Sequence, residues 1–178
     1  MKHILVTGGA GFIGSNFIHY LANHYGPDIT IHNVDALTYA GNLANLDNLA
    51  NTNYHFHHAC ITDRAALTGI FAHAIDCVVH FAAESHVDRS IHDSSPFITT
   101  NVLGTQCLLD VAMAHSVKQF IHISTDEVYG STQTGYFTET SPLNPSSPYA
   151  ASKTSSDLVA LAYYKTFGFP VQIGRAHV

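Results

Sequence analysis

A tyrosine and a lysine stand four residues apart in the run Tyr149-Ala150-Ala151-Ser152-Lys153, which the surrounding pattern predicts to be helical. Because residues i and i+4 lie on one face of a helix, the phenol and the ammonium group should point the same way. A nearby cation lowers the pKa of a tyrosine, which can then take a proton from an alcohol near neutral pH. The spacing is also common in purely structural helices, so its chemical meaning depends on what lies beside it.

Three polar residues, Thr125, Asp126 and Glu127, follow the apolar run Phe120–Ile123, which predicts a buried strand. In open parallel sheets, ligands bind beyond the carboxyl ends of the strands. Two adjacent carboxyl groups at such a place can divide their roles, one protonated as an acid and one ionised as a base. The alternative is a solvated acidic loop without a catalytic role.

A glycine-rich turn follows the first apolar run of the chain, with Gly8, Gly11 and Gly14 three residues apart. Glycines at such a turn permit a tight bend and close approach to a pyrophosphate, which the N–H groups of the next helix can bind. Asp35 ends the second predicted strand about 20 residues later, where a carboxylate binds the ribose 2′-hydroxyl of NAD and repels the 2′-phosphate of NADP. The alternative is a plain glycine turn followed by a loop aspartate.

The elements that must position these residues are short apolar runs alternating with helical patterns. The predicted strands are His3–Val6, Ile29–Val34, Tyr54–His58, Cys77–Phe81 and Phe120–Ile123, with a last strand beginning at Val171. The predicted helices are Phe12–His24, Ala65–His73, Phe97–Ala114 and Tyr149–Phe167. This alternation predicts an α/β fold with a doubly wound parallel sheet of the Rossmann type, incomplete at its C-terminal edge and without a substrate domain.

Composition excludes several other classes of protein. The 178 residues include 7 Lys and Arg against 13 Asp and Glu, a net charge of −6 that argues against nucleic-acid binding. The sequence shows no obvious membrane-spanning run and no signal peptide, so we expect a cytoplasmic protein. Cys60, Cys77 and Cys107 are widely spaced, which fits reduced thiols.

Histidine is abundant, with 14 residues in the chain. The densest group is His55, His57 and His58, of which the first two share one face of a predicted strand. No partner motif with the spacing of a structural zinc site accompanies them, so we predict no metal site.

Six segments together carry a family resemblance: TGGAGFIGS, VDALTYAGN, HFAAESHVDRSI, FITTNVLGT, STDEVYG and YAASKTSSD. They lie between residues 7 and 157, and on them the chain resembles the extended short-chain dehydrogenases/reductases, in particular the dTDP-glucose 4,6-dehydratases. The Asp-Glu pair of STDEVYG distinguishes these dehydratases from related epimerases. The segment LTYAGN favours the thymidylyl-sugar branch over UDP-glucose 4,6-dehydratases, which share STDEVYG.

The resemblance implies a mechanism for making a 4-keto-6-deoxy sugar. Tyr149, assisted by Lys153 and Thr125, would remove the C4 hydroxyl proton while hydride passes from C4 to NAD. Glu127 would then take the C5 proton, and Asp126 would protonate the departing C6 hydroxyl. Hydride return to C6 would complete a cycle that leaves NAD unchanged.

The resemblance also implies a cofactor site and the beginning of a substrate site. Ser85 and Thr125 would touch the sugar. Whether the residues after the fourth strand contact a ligand or only form a structured loop is open for Glu84, His86, Asp88 and Arg89. Cys60 departs from the family, which usually has an Asp there for the adenine amino group. The implied NAD contacts are Gly8, Gly11, Phe12, Ile13, Gly14, Asp35, Ala36, Leu37, Thr38, Cys60, Ile61, Phe81, Ala82, Ala83, Glu84, Ser85, Thr100, Tyr149 and Lys153.

The final residues differ in character from the rest of the chain. Residues 173–178, IGRAHV, equal one reading frame of a common sequencing-library adapter, so we expect residues 1–172 to be the native NAD-binding domain. As given, we expect the chain to lack most of the sugar site and to be inactive. The family forms homodimers, for which the apolar faces of Phe97–Ala114 and Leu158–Phe167 are candidates. The alternatives in function are a UDP-sugar 4-epimerase, a UDP-glucose 4,6-dehydratase, or a non-catalytic NAD-binding module.

Overall fold

A single parallel sheet organises the molecule, of which the computed structural model describes residues 2–49 and 53–176. Its strands lie side by side in the order β3-β2-β1-β4-β5-β6, and every neighbouring pair is parallel. This is the strand order of the dinucleotide-binding doubly wound fold, so the predicted fold class is confirmed. The strands are β1 (Lys2–Thr7), β2 (Ile29–Asp35), β3 (Asn53–His58), β4 (Cys77–His80), β5 (Gln119–Thr125) and β6 (Val171–Ala176).

Five helices connect the strands in the part of the chain that the structure describes. They are α1 (Phe12–Tyr25), α2 (Arg64–Phe71), α3 (Val87–His92), α4 (Ser95–Ala114) and α5 (Pro148–Phe167). Short 3₁₀ turns lie at Gly26–Asp28, Leu43–Leu46 and Asp126–Tyr129. The four predicted helices correspond to α1, α2, α4 and α5. Helix α3 was not predicted, because its six residues make fewer than two turns and are too few to show a repeated helical pattern.

The ends of α5 follow from ordinary capping chemistry. Ser147 precedes the helix, and its side-chain oxygen accepts a hydrogen bond from the N–H of Ala150. Pro148 occupies the first turn, as predicted, because a proline there loses no helical hydrogen bond. Gly168 ends the helix in the left-handed conformation at φ 65°. These signals place Tyr149 and Lys153 in the first two turns, at the end of the helix near the carboxyl ends of the strands.

The core lies on both faces of the sheet because alternate strand residues point to opposite sides. Val6 and Ile31 pack with Ile18 of α1 in one buried cluster. The other face carries a larger cluster that includes Leu5, Leu67, Leu108, Phe120 and Ala160, so α2, α4 and α5 cover this side.

The structure corrects one expectation about β5. The sequence predicts a strand buried on both sides, but Ile121 and Ile123 are only half-buried. They point away from Phe120 and His122, which are fully buried under α5. The cluster under α1 centres on β1 and β2 and does not reach these two residues.

Helix α4 is long and apolar enough to span a membrane by length and composition alone, with a mean hydropathy of 1.2. Half of that stretch is buried inside the molecule, where Leu108 and Leu109 belong to the core. It packs against α2 and α5, as the core helix of a soluble protein does. Its segment Ile98–Gly104 is wound as a π-helix, a feature that often marks functional sites.

Strand β6 begins at Val171, as predicted, and pairs with β5 through Ala176. Ile173 lies beside His122 and Arg175 beside Ser124. The first four residues of the segment that resembles adapter sequence therefore continue the sheet, and residues 177–178 lie outside the described residues. Strand pairing uses main-chain atoms, so it is independent of where those residues originate.

Candidate active site

A cavity of about 460 Å³ opens at the carboxyl ends of the central strands. This is the place where doubly wound sheets bind their ligands, and the volume lies in the usual range for small-molecule sites. Its walls bring together the glycine turn, the loop after β2 and the Tyr149–Lys153 pair. The lining residues are Gly8, Gly11, Phe12, Ile13, Gly14, Val34, Asp35, Ala36, Thr38, Ala40, Gly41, Ala59, Cys60, Ile61, Phe81, Ala82, Ala83, Glu84, Ser85, Thr100, Ile123, Ser124, Thr125, Glu127, Tyr149 and Lys153.

The lining includes the predicted site residues except Leu37 and Asp126. Leu37 takes a left-handed conformation at φ 50°, and its N–H donates to Asp35 Oδ1 at 2.8 Å. Asp126 opens the 3₁₀ turn after β5. The sequence reading missed the small residues Ala40, Gly41 and Ala59, whose types carry no chemical signal of their own.

The glycine turn leaves no room for side chains at Gly8 and Gly14. Gly8 has φ +69°, and a Cβ there would lie 2.7 Å from the backbone nitrogen of Ala82. A Cβ on Gly14 would lie 2.3 Å from the carbonyl oxygen of Gly8. Gly11 precedes α1 and has no side chain to cap the first N–H groups of the helix, while Phe12 is 83% exposed at the cavity. The turn therefore fits a pyrophosphate, which would bind these N–H groups.

Gly9 also has to be a glycine, which was not predicted from the sequence. A Cβ on Gly9 would lie 2.2 Å from the side-chain oxygen of Asn33 on β2. The doublet Gly8-Gly9 was visible in the sequence, but the close approach of Asn33 depends on the pairing of β1 with β2.

Asp35 ends β2 at the cavity and is buried. One carboxylate oxygen accepts from the N–H of Ala10 at 2.9 Å, and the other accepts from the N–H of Leu37 at 2.8 Å. The carboxylate thereby joins the glycine turn to the loop after β2. Each oxygen retains a second lone pair, so a ribose hydroxyl can still donate to it.

Cys60 and Ile61 lie in the cavity wall, after β3. The Thr62 hydroxyl donates to the Cys60 sulfur at 3.1 Å. All three cysteines have free thiols, as predicted from their spacing.

The segment after β4 forms another wall of the cavity. Asn101, in the π-wound part of α4, accepts from the N–H of Glu84 at 2.8 Å and donates to its carbonyl at 2.9 Å. Arg89 belongs to α3, lies 4.0 Å from the Glu84 carboxylate and covers the Tyr39 ring at 3.9 Å from its centre. His86, Asp88 and Arg89 do not line the cavity, which favours the structured-segment reading for these three residues.

Tyr149 is buried at the cavity floor. Burial raises the pKa of its phenol, a hydrogen bond with Thr125 opposes this rise, and the nearby charges of Glu127, Asp126 and Asp157 add to it. The expected lowering of the pKa by Lys153 is therefore not present in this arrangement. Lys153 directs its Nζ to the carbonyl oxygen of Ile123, to which it donates at 2.7 Å.

Lys153 itself is only 4% exposed. Burial lowers the pKa of its ammonium group to about 8, and the charge of Asp157 opposes this fall. The Lys153 side chain therefore gains or loses its proton close to neutral pH, as a group that takes part in proton transfer must.

The two acidic residues after β5 share one short turn. Thr125 Oγ1 accepts from the N–H of Glu127 at 3.3 Å and lies 3.5 Å from Asp126 Oδ1. Burial raises the pKa of Glu127, and the neighbouring charge of Asp126 raises it further. Glu127 lines the cavity and Asp126 does not, so the two carboxyl groups occupy different environments.

The fold and this site together define a domain of the Rossmann type with a tyrosine–lysine pair at its cavity. The family model described as GDP-mannose 4,6 dehydratase matches residues 5–177. The chain therefore belongs to this family.

Named relatives are similar over almost the whole chain. A dTDP-glucose 4,6-dehydratase from Actinoplanes sp. is 50% identical over 177 residues, which are 97% of this chain and 55% of that protein. The crystal structure of DesIV, a dTDP-glucose 4,6-dehydratase from Streptomyces venezuelae with NAD and TYD bound, is 51% identical with a TM-score of 0.92, covering 98% of this chain and 55% of that one. A UDP-Glc/GlcNAc 4-epimerase from Campylobacter jejuni is 31% identical with a TM-score of 0.89, covering 98% and 53%. The chain thus spans about half the length of the relatives it matches.

Proposed function

We propose that the chain is the NAD-binding and proton-transfer part of a dTDP-glucose 4,6-dehydratase, which converts dTDP-glucose to dTDP-4-keto-6-deoxyglucose. The observation that carries this proposal is the Thr125-Asp126-Glu127 turn at the end of β5, with Thr125 hydrogen-bonded to Tyr149. Oxidation alone needs a tyrosine–lysine pair, whereas elimination of water needs an additional base and acid. The similarity to dehydratases at about half identity supports the same assignment.

NAD is the proposed cofactor. The glycine turn and the start of α1 would hold its pyrophosphate, and Asp35 would bind the adenosine ribose. Bound there, NAD would supply the hydride acceptor for oxidation at C4 and, once reduced, the hydride donor for C6. Cys60 offers no carboxylate to the adenine amino group, so this contact contributes less than it does in relatives with an acidic residue there.

The proton transfers belong to the chain's own residues. Tyr149 takes the C4 hydroxyl proton, and Thr125 orients it through their hydrogen bond. Glu127 takes the C5 proton, for which its raised pKa makes it a stronger base when ionised. Asp126 protonates the departing C6 hydroxyl, and Ser85 at the cavity wall contacts the sugar.

Glu127→Gln tests the elimination step in a full-length dehydratase that contains this chain. We expect the variant to keep NAD and to lose exchange of the C5 proton with solvent by about 100-fold or more, the typical contribution of a general base. Exchange is followed by mass spectrometry of the sugar nucleotide in D₂O. Glu139→Gln, which changes an exposed glutamate of the loop before α5, is the matched control.

Undiminished C5 exchange in Glu127→Gln would contradict the proposed base. Product analysis with dTDP-glucose and UDP-glucose separates a thymidylyl-sugar dehydratase from a UDP-sugar dehydratase or a 4-epimerase. The 178-residue chain alone is expected to bind NADH without converting dTDP-glucose, since it spans about half of its relatives. Turnover by this chain alone would contradict that expectation.

The proposed protein is a cytoplasmic homodimer. Free thiols at all three cysteines are compatible with a reducing compartment. Exposed apolar side chains on two adjacent helices, Leu103 on α4 with Leu158 and Leu161 on α5, support a dimer formed through these helices.

A further inference from the structure

A buried carboxylate lies one helical turn beyond Lys153. Asp157 of α5 is only 2% exposed and faces β5. Its carboxylate accepts a hydrogen bond from the Ser124 hydroxyl at 2.8 Å and lies 3.3 Å from His122 Nε2. Arg175 of β6 donates to the same carboxylate at 3.3 Å. A buried carboxylate with this many partners is held in one position.

Lys153 reaches the same stretch of β5. Its Nζ donates to the carbonyl oxygen of Ile123, the residue between His122 and Ser124. A buried ammonium group is unfavourable unless an opposite charge compensates for the lost hydration. Asp157 is the anion whose charge acts on Lys153 in this structure.

We propose that Asp157 is a positioning residue for Lys153: its buried carboxylate is the fixed countercharge that keeps the Lys153 side chain protonated and held between α5 and β5. This inference rests on the proposed function, in which oxidation of the sugar needs the pair of Tyr149 and Lys153. It adds a residue outside the cavity lining that acts on Lys153 and whose charge also raises the pKa of Tyr149.

The balance of charge at Lys153 supports this role. Burial lowers the pKa of Lys153 to about 8, and Asp157 raises it. Without the carboxylate the pKa would fall further, and near neutral pH much of Lys153 would be an uncharged amine. With an uncharged amine at Lys153, the tyrosine–lysine pair would lose its cation.

The other titratable groups around Lys153 do not replace Asp157. His122 and His80 lie beneath α5 on β5 and β4, and burial lowers both of their pKa values, that of His122 to about 4. Both imidazoles are therefore neutral at pH 7. Arg175 is a cation that shares the Asp157 carboxylate. The remaining groups, Tyr149, Asp126 and Glu127, lie toward the cavity at the other end of this cluster.

Titration of the lysines by NMR tests the proposal directly on the 178-residue chain. The chain has four lysines, and Lys153→Met assigns the signal of interest among Lys2, Lys118, Lys153 and Lys165. In the unsubstituted chain Lys153 should titrate near pH 8. In Asp157→Asn its midpoint should fall by about one pH unit or more, the effect of losing one nearby opposite charge.

Ser156→Ala is the matched control, because it removes a buried polar group of the same cluster without changing the charge. Ser156 contacts His122 Nε2 at 3.1 Å and donates to the carbonyl of Lys153 at 2.8 Å. In Ser156→Ala the titration midpoint of Lys153 should stay near that of the unsubstituted chain. An unchanged midpoint in Asp157→Asn, or an equal fall in Ser156→Ala, overturns the proposal.

Ser124→Ala keeps the test decisive if Asp157→Asn fails to fold. Loss of the 2.8 Å hydrogen bond frees the Asp157 carboxylate, so a smaller fall of the Lys153 midpoint is expected and no fall overturns the proposal. The titration needs neither NAD nor sugar, so it can fail while the proposed function holds. In a full-length dehydratase, Asp157→Asn should displace the pH profile of C4 oxidation and leave KM for the sugar unchanged, whereas a merely structural role would not move that profile.

Discussion

Substitution by alanine should have opposite effects at Gly14 and at Gly69. An alanine Cβ at Gly14 would lie 2.3 Å from the Gly8 carbonyl, whereas a Cβ at Gly69 would meet nothing within 4 Å. We expect Gly14→Ala to displace the turn proposed to bind pyrophosphate and to weaken NADH binding by about 10-fold or more, as loss of even one charge-assisted hydrogen bond does. Gly69→Ala lies on the exposed side of α2 and should stabilise the chain by up to about 1 kcal/mol.

NADH fluorescence titration and urea unfolding measure the two effects. Gly69→Ala serves as the control for Gly14→Ala, since both insert one methyl group into a helix of the same domain. Equal NADH affinity in Gly14→Ala and the unsubstituted chain would mean that the glycine turn does not hold the pyrophosphate.

The sequence predicted most of the candidate site at this scale but not its electrostatics. Gly8, Gly14, Tyr149 and Lys153 were recognisable because each depends on its own type and its spacing along one element. The importance of Asp157 could not be predicted, because its partners lie on β5 and β6 and meet it only after the sheet has formed. The raised pKa of Tyr149 has the same origin, since burial and surrounding carboxylates determine it.

At the scale of elements, the predicted strands and long helices are confirmed because apolar periodicity and capping residues both indicated them. The short helix α3 was missed because Val87–His92 is less than two helical turns. Half-burial of Ile121 and Ile123 was missed because an apolar run reveals the character of a strand and not which helices cover its faces.

One face of the sheet carries a cluster of five histidines from β1, β2, β3 and the residues after α2. His32 is 1% exposed at its centre, with the rings of His3, His55, His57 and His73 between 5.0 and 5.4 Å away. His32 lies 3.1 Å from a ring nitrogen of His3 on one side and of His57 on the other. The predicted shared face of His55 and His57 is confirmed. Among residues 2–49 and 53–176, no group of three metal-ligating side chains has metal-binding geometry.

This cluster should make the fold sensitive to acid. Burial, together with the charges of the neighbouring histidines, lowers the pKa of His32 from 6.5 to about 4. The unfolded chain therefore takes up a proton from pH 6.5 downward, while the folded chain resists it until about pH 4. Stability from this residue is complete above pH 6.5, is reduced by about 2 kcal/mol at pH 5, and is lost as pH falls through 4.

Urea unfolding at pH 7.5 and pH 5.0 measures this contribution. In His32→Val the loss of unfolding free energy between these pH values should be smaller by about 2 kcal/mol than in the unsubstituted chain. His80 and His122 are retained in both chains, so their own acid sensitivity cancels in the comparison. His24→Gln, on the exposed side of α1, should keep the full loss. An equal loss in His32→Val would show that His32 is not the proton-linked group.

At the scale of the whole molecule, the two helices beside the catalytic elements present apolar side chains to solvent. Leu158, Leu161 and Tyr164 are exposed at three-residue intervals along α5, and Ile98 and Leu103 are exposed on the adjoining α4. Helix α5 also buries Tyr149, Lys153 and Asp157 in its first three turns. A dimer formed through α4 and α5 would cover the apolar stripe and brace the helix that holds the candidate catalytic pair.

The exposed stripe predicts that association depends on α5. Replacing Leu158 and Leu161 together with lysine places two cations in the contact, where burying an unpaired charge is strongly unfavourable. Sedimentation velocity over a range of concentrations should show a dimer for the unsubstituted chain and a monomer for the double variant. Tyr136→Lys changes an apolar residue that is 88% exposed in the loop before α5, and this control should remain a dimer. A concentration-independent monomer of the unsubstituted chain would refute the proposed contact, and dissociation of the control would show that any added charge suffices.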